Sequence, residues 1–206
     1  MLNAGLIVGM GLLAWHQLSH WSKVARYFGA GVALAYMAWG AWEIRVSVRD
    51  ARHGSFRSDR WTLEAYALSQ GSTALTALAL TPHWPFLPEL CIIAGALLFG
   101  IGALVRISAV RELGEFYSHR VRVASEHRIV QTGPYKWLRH PAYLGMLMVH
   151  VGLVLVFFNW VSFTILLGAL VPALVVRILV EERALVVLPE YAKFCRRRAR
   201  LIPLLW

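Results

Sequence analysis

The chain has 206 residues, 58% of them hydrophobic, with nine tryptophans and a formal net charge of +10. An ordinary soluble domain is excluded, because the apolar residues arrive in long blocks that one small core does not bury. A nucleic-acid partner is also disfavoured: the basic residues fall between those blocks, where they act as a topology signal.

In chain order, Leu2 to Leu18 is apolar but short, and Gly5, Gly9 and Gly11 give it a small-residue stripe that suits close helix packing. The N-terminus lacks the positive region and small-residue cleavage site of a signal peptide, so the first helix is expected to be retained. Tyr27 to Val46 reads as a second span, and a loop at 45–60 carries five arginines. Thr62 to Leu80 is a third span, followed by a turn with no Lys or Arg. Leu87 to Val110 is a fourth, with Arg106 and Arg111 at its end. From Pro141 to Val176 there is no Asp, Glu, Lys or Arg. A spanning helix needs about 20 apolar residues, so this block reads as two helices, Pro141 to Phe158 and Val161 to Val180.

The expected fold is therefore all-α, a polytopic transmembrane bundle of about six spans, with five spans plus an interfacial helix as the alternative. Loops at 45–60 and 111–140 and the tail are basic, while the turns at 81–88 and 158–160 are not. That alternation places both termini in the cytoplasm. The pair Lys23 and Arg26 breaks the pattern and weakens the assignment of the first helix. Residues 1–110 form an N-terminal set of spans. Residues 111–206 form a C-terminal half of connector, helical hairpin and charged tail, with the candidate site at its cytosolic end. Cys91 and Cys195 have no metal-ligand spacing and are expected on opposite sides, so no disulfide is expected between them.

The distinctive polar residues gather on one side. Gly133-Pro134-Tyr135 reads as a turn and His140-Pro141 as a helix start, because proline disfavours helical backbone in the residue before it and fits the first helical position. Arg139 and His140 thus stand at a helix mouth suited to an anionic group. Arg177 and Glu181 are four apart, on one helix face, with Glu182 beside them, and Pro172 is expected to kink that helix. Plainer readings compete with each of these. Arg177 and Glu181 also fit a simple ion pair at a helix end. His150 with His16 or His20 would suit a bis-histidine haem, but a hydrogen-bonded interior histidine needs less. Metal ligation through His119 and His127 has no supporting carboxylate or cysteine pattern. The arginines at 196–200 fit a tail held at an anionic leaflet.

His127-Arg128-Ile129-Val130-Gln131-Thr132-Gly133-Pro134-Tyr135, then Arg139-His140-Pro141-Ala142-Tyr143-Leu144-Gly145, Arg177-x-x-x-Glu181-Glu182 and Glu190-Tyr191-x-x-Phe194-x-x-Arg197 carry a resemblance over the last ninety or so residues. In order and spacing they resemble the isoprenylcysteine carboxyl methyltransferase family. The resemblance implies an integral membrane methyltransferase using S-adenosyl-L-methionine, without metal and without the soluble doubly wound fold. It implies that His127, Arg128, Ile129, Val130 and Tyr135 line the nucleotide end of the cofactor. His140, Pro141, Ala142 and Tyr143 would wrap its other side, and Glu181 would bind its amino group. Arg122 aligns near a further cofactor contact. Arg177 would hold the acceptor carboxylate, with Arg139 as the second candidate catalytic residue. The acceptor would be an isoprenylcysteine-like or other lipophilic carboxylate entering from the membrane lipid. The Ala- and Arg-rich composition points to a bacterial inner membrane, with the site facing the cytoplasm. Competing readings are an amino-lipid head group or small thiol as acceptor, or a non-catalytic membrane protein. Sterol reductases share the terminal pattern but are much longer.

Overall fold

The protein is described by a computed structural model over residues 2–19, 21–51, 61–85, 87–117, 129–196, 198–203 and 206. Its helices are α1 (Leu2–Leu18), α2 (Lys23–Ala51), α3 (Thr62–Ala79), α4 (Pro88–Leu113), α5 (Pro141–Val156), α6 (Trp160–Ile165), α7 (Val171–Leu185) and α8 (Pro189–Cys195). Among the described residues there is no strand, only one isolated parallel bridge between Leu138 and Ala199.

Proline and glycine set several of the boundaries. Pro88 and Pro141 each begin a helix where a missing N–H leaves no bond unmade. Gly114, at φ 54, ends α4 with its N–H on the Val110 carbonyl. Asn159 caps α6 by accepting from the Ser162 N–H at 2.9 Å, and its amide donates to Thr76 and Phe157 carbonyls at 3.1 and 3.2 Å. One side chain thus starts α6 and fastens the α5–α6 turn to the end of α3.

Two helical runs, Pro88–Leu113 and Trp160–Leu185, are each 26 residues long and apolar enough to cross a membrane; α5 is a shorter apolar helix. The second run is α6, one widened π turn at Leu166–Leu170, and α7. The widened turn lies just before Pro172, the residue expected to kink this helix. Pro172 has no N–H to give and its ring crowds the carbonyl one turn back, so the preceding turn opens.

The tightest packing lies between α4 and α5. A Cβ on Gly145 would sit 2.7 Å from the Gly102 carbonyl oxygen, and one on Gly152 would sit 2.6 Å from that of Gly95. The reversed order of the pairs makes the helices antiparallel, backbone against backbone. In lipid, where apolar side chains gain little from burial against one another, such close approach is what holds helices together. The remaining core gathers Leu78, Leu153, Phe157, Leu170, Leu174 and Ile178, all fully buried. Leu97, Leu104, Leu167 and Val176 point outward.

α2 starts earlier and ends later than hydropathy suggests, so Arg45 is helical. A charged pair lies inside the bundle: Arg106 of α4 donates from two nitrogens to Glu43 of α2, at 2.8 and 3.0 Å, and also reaches the Tyr117 hydroxyl. A bidentate pair of this kind neutralises both charges where neither is tolerated alone.

Candidate active site

The site begins where α4 hands the chain to the Gly133–Lys136 turn and α5. Gly133 has φ +55, a backbone conformation that favours glycine, and the Glu112 carboxylate lies against it, 2.9 Å from where a Cβ would stand. The Thr132 hydroxyl donates to Glu112, holding the turn on the end of α4. Tyr135 is thereby inserted between Ala109 and Ala142, with Val130 and Leu113 alongside. Burial, and then the charge of Glu181, push its hydroxyl well above the ordinary tyrosine value, so it stays neutral.

His140, 3% exposed, follows at the mouth of α5. Its Nε2 lies 3.4 Å from Glu182 Oε1 and its Nδ1 4.0 Å from Glu181 Oε1. The Tyr143 ring lies 5.8 Å away, and its hydroxyl donates to Glu181 Oε2 at 2.8 Å. Pro141 and Ala142 are buried beneath them. The predicted residues Tyr135, His140, Tyr143 and Glu181 are thus brought to one corner. Ile129 and Val130 lead into it, both half-buried. His127, Arg128, Arg122, His119 and Arg197 lie outside the described residues.

Glu182 faces the other way and binds cations. Its Oε1 accepts from Arg139 Nη1 at 3.0 Å and its Oε2 from Arg200 Nε at 2.9 Å, with His140 completing the group. Arg139 donates further to the Arg198 carbonyl at 2.9 Å and the Cys195 carbonyl at 2.7 Å. The backbone N–H groups of Arg139 and His140 donate to Ala199 and Arg200 carbonyls at 2.9 and 3.0 Å. Two expectations change here. Arg139, a candidate catalytic residue from sequence, directs its guanidinium at the tail and α7, which makes it a brace for the corner. Arg198 and Arg200, expected at a leaflet, also have protein partners: Arg198 donates to Gln131 at 3.2 Å and lies 4.5 Å over the Phe194 ring, and Arg200 donates to Glu182. A pocket of about 270 Å³ opens nearby, lined by Gln131, Glu190, Lys193 and Arg198.

Arg177 sits one turn before Glu181 on α7, 2% exposed, and donates to the Thr62 hydroxyl of α3 at 3.2 Å. Tyr66, one turn further along α3, meets Tyr143 edge-on with ring centroids 5.9 Å apart. Sequence reasoning missed Thr62, Tyr66 and the Glu182 hub. The only available signal was the i, i+4 spacing of Thr62 and Tyr66 and the adjacency of the two glutamates.

His150, the residue weighed as a haem ligand, is fully buried; its Nδ1 lies 2.9 Å from the Met146 carbonyl and its ring stands edge-on to Tyr36 and Trp39. Among the described residues no cluster of three or more His, Cys, Asp or Glu could hold a metal ion.

Chemically, the corner offers a partly exposed carboxylate beside the Tyr143 hydroxyl and the His140 ring, which suits a cation. One turn away it offers a buried guanidinium, which suits an anion. Residues 94–187 match the isoprenylcysteine carboxyl methyltransferase (ICMT) family. The protein-S-isoprenylcysteine O-methyltransferase of Saccharomyces cerevisiae is 37% identical over 100 residues, 48% of this chain and 42% of that protein. A probable protein-S-isoprenylcysteine O-methyltransferase of Oryza sativa subsp. indica is 30% identical over 109 residues, 50% of this chain and 57% of that protein. The chain spans about half the length of the curated relatives it matches.

Proposed function

We propose that this chain, whose residues 94–187 match the isoprenylcysteine carboxyl methyltransferase family, is an integral membrane methyltransferase that esterifies a lipophilic carboxylate, isoprenylcysteine-like in chemistry. The observation that carries the reading is the placement of Arg177 and Glu181 one turn apart on α7, beside the His140–Pro141 corner. A cation and an anion must meet for this reaction, and the two side chains are of the right sign to receive them.

The donor set fits S-adenosyl-L-methionine. Glu181 has the charge to take an ammonium, and Tyr135, Tyr143 and His140 offer ring faces to a sulfonium. Ile129, Val130, Pro141 and Ala142, with His127 and Arg128, would hold the remainder. When bound, the cofactor supplies an electrophilic methyl group. Arg177 grips the acceptor carboxylate in a fork and leaves one oxygen lone pair for in-line attack. Transfer of that methyl group to the carboxylate oxygen would leave its bonding pair on the cofactor's sulfur and would ask no side chain to take up or release a proton. A carboxylate is already ionised at neutral pH, so no residue acts as a general base. The protein contributes alignment and exclusion of water, effects that together reach about 7–11 kcal/mol in well-oriented reactions.

The same proposal places six spans in a bacterial inner membrane, with both termini and the cofactor side in the cytoplasm. Residues 1–110 supply the lipid-facing wall and 111–206 the catalytic half. Positive-inside counting and the outward leucines of α4 and the α6–α7 run support it. The test is Arg177→Ala. Methyl transfer to a carboxylate lipid is expected to fall at least a hundredfold while S-adenosylhomocysteine binds within about threefold of wild type. Retention of both would overturn the carboxylate assignment.

A further inference from the structure

We infer that Tyr66, with Thr62 beneath it, completes the acceptor side of the site, its hydroxyl donating to the carboxylate oxygen that does not attack the methyl group. The inference rests on the reading of Arg177 given above and extends the site to α3, outside the matched residues 94–187.

Three observations converge on Tyr66. Thr62 and Tyr66 are four apart, hence on one face of α3, and Thr62 is the residue to which Arg177 donates. The ring of Tyr66 is then held edge-on by Tyr143, the residue bound to Glu181, with an interplanar angle of 79°. Tyr66 is therefore fixed between the two side chains that the reaction assigns to acceptor and cofactor.

The hydroxyl itself is the third observation. Tyr66 is 6% exposed, and its oxygen is buried without a hydrogen-bond partner among the described residues. Three short hydroxyls of the same helix are satisfied locally: Ser69, Thr73 and Thr76 each donate to a carbonyl one turn back, at 2.7 to 2.8 Å. A phenol is too long to do that, so its donor needs something from outside the helix. Leaving it unmade is costly, more so at membrane depth where water is scarce. Its ring belongs to the hydrophobic core, yet Arg106, Glu43, Tyr117 and Arg177 lie within electrostatic reach. Arg106 is already matched by the two-point pair to Glu43. An acceptor anion seated on Arg177 would bring the missing hydrogen-bond acceptor. An amide in the same place would lack the charge that makes such a bond strong.

The test compares wild type, Tyr66→Phe and Arg177→Ala in lipid nanodiscs with S-adenosylhomocysteine bound, so that nothing turns over. N-acetyl farnesylcysteine and palmitate are titrated against their primary amides, with intrinsic tryptophan fluorescence as the signal. Tyr66→Phe is expected to weaken binding of the acids about tenfold, the loss of one charge-assisted bond, and to leave the amides and S-adenosylhomocysteine unchanged. Its thermal midpoint should not fall, since an unpartnered buried hydroxyl has been removed. Equal weakening of acids and amides, or no change while Arg177→Ala loses acid binding, would overturn the role of Tyr66 alone. If Arg177→Ala also keeps the preference for acid over amide, the carboxylate reading beneath it fails instead.

Discussion

Glu182→Gln is the substitution whose consequence the structure determines most fully. The side chain keeps its shape but loses the charge that gathers Arg139, His140 and Arg200. Arg139 is 18% exposed in its side chain and His140 3%, so neither recovers full hydration. A hydrogen bond to a charged group contributes about 1.5–3 kcal/mol. The Arg200 pair, with that side chain 35% exposed, is screened and contributes about 1 kcal/mol or less. The sum is about 2–4 kcal/mol, which in a protein of this size lowers the thermal midpoint by on the order of 10 °C. Intrinsic fluorescence melts of the detergent-solubilised protein read this directly. Limited proteolysis provides a second signal, because the tail beyond Cys195 is held through Arg139, His140 and Arg200 and should become accessible. Arg200→Gln alone should cost far less. A Glu182→Gln protein that melts with wild type and keeps its tail protected would refute the reasoning that this carboxylate joins tail to corner.

Other expectations follow from single contacts. Tyr143→Phe removes the 2.8 Å bond that orients Glu181 and should weaken S-adenosylhomocysteine about tenfold by calorimetry, on the scale of one charge-assisted bond, with little change in the melt. Gly145→Ala places a Cβ 2.6 Å from the Arg106 backbone nitrogen; forcing α4 and α5 apart should cost at least about 1–3 kcal/mol, seen as a lower melting midpoint and poor recovery from membranes. The rate of methyl transfer should be flat across neutral and mildly alkaline pH. Tyr135 remains neutral there and the acceptor is already ionised, so a rate rising steeply with pH would point to a base-dependent amine or thiol acceptor.

Much of the frame was legible in the sequence, for identifiable reasons. Pro141 marks the start of α5 because a missing N–H costs nothing in the first helical turn, and the absence of charge from Pro141 to Val176 announces a buried or lipid-facing hairpin. α2 was misjudged at both ends, since arginine is polar on a hydropathy scale yet a good helix former. The π turn before Pro172 was not legible, because proline identifies a defect but not how the backbone absorbs it. At the site, His140, Tyr143 and Glu181 were readable as a set and the structure brings them together. The jobs of Arg139, Arg198 and Arg200 were not, because their partners lie a tail's length away in sequence and a basic run looks the same whether it meets lipid or a glutamate. Thr62 and Tyr66 were invisible for a similar reason: nothing local distinguishes a tyrosine that packs from one whose hydroxyl lacks a partner.

Whether a carboxylate is the acceptor is tested most directly by the chemical lability of the product. Purified protein in bilayers is given methyl-labelled S-adenosylmethionine and a prenylcysteine analogue, and the extracted product is treated with alkali. The account predicts label released as volatile methanol, the mark of a methyl ester, and none from the Arg177→Ala protein. Label that survives alkali on a nitrogen or sulfur, or ester formed equally well without Arg177, would contradict it.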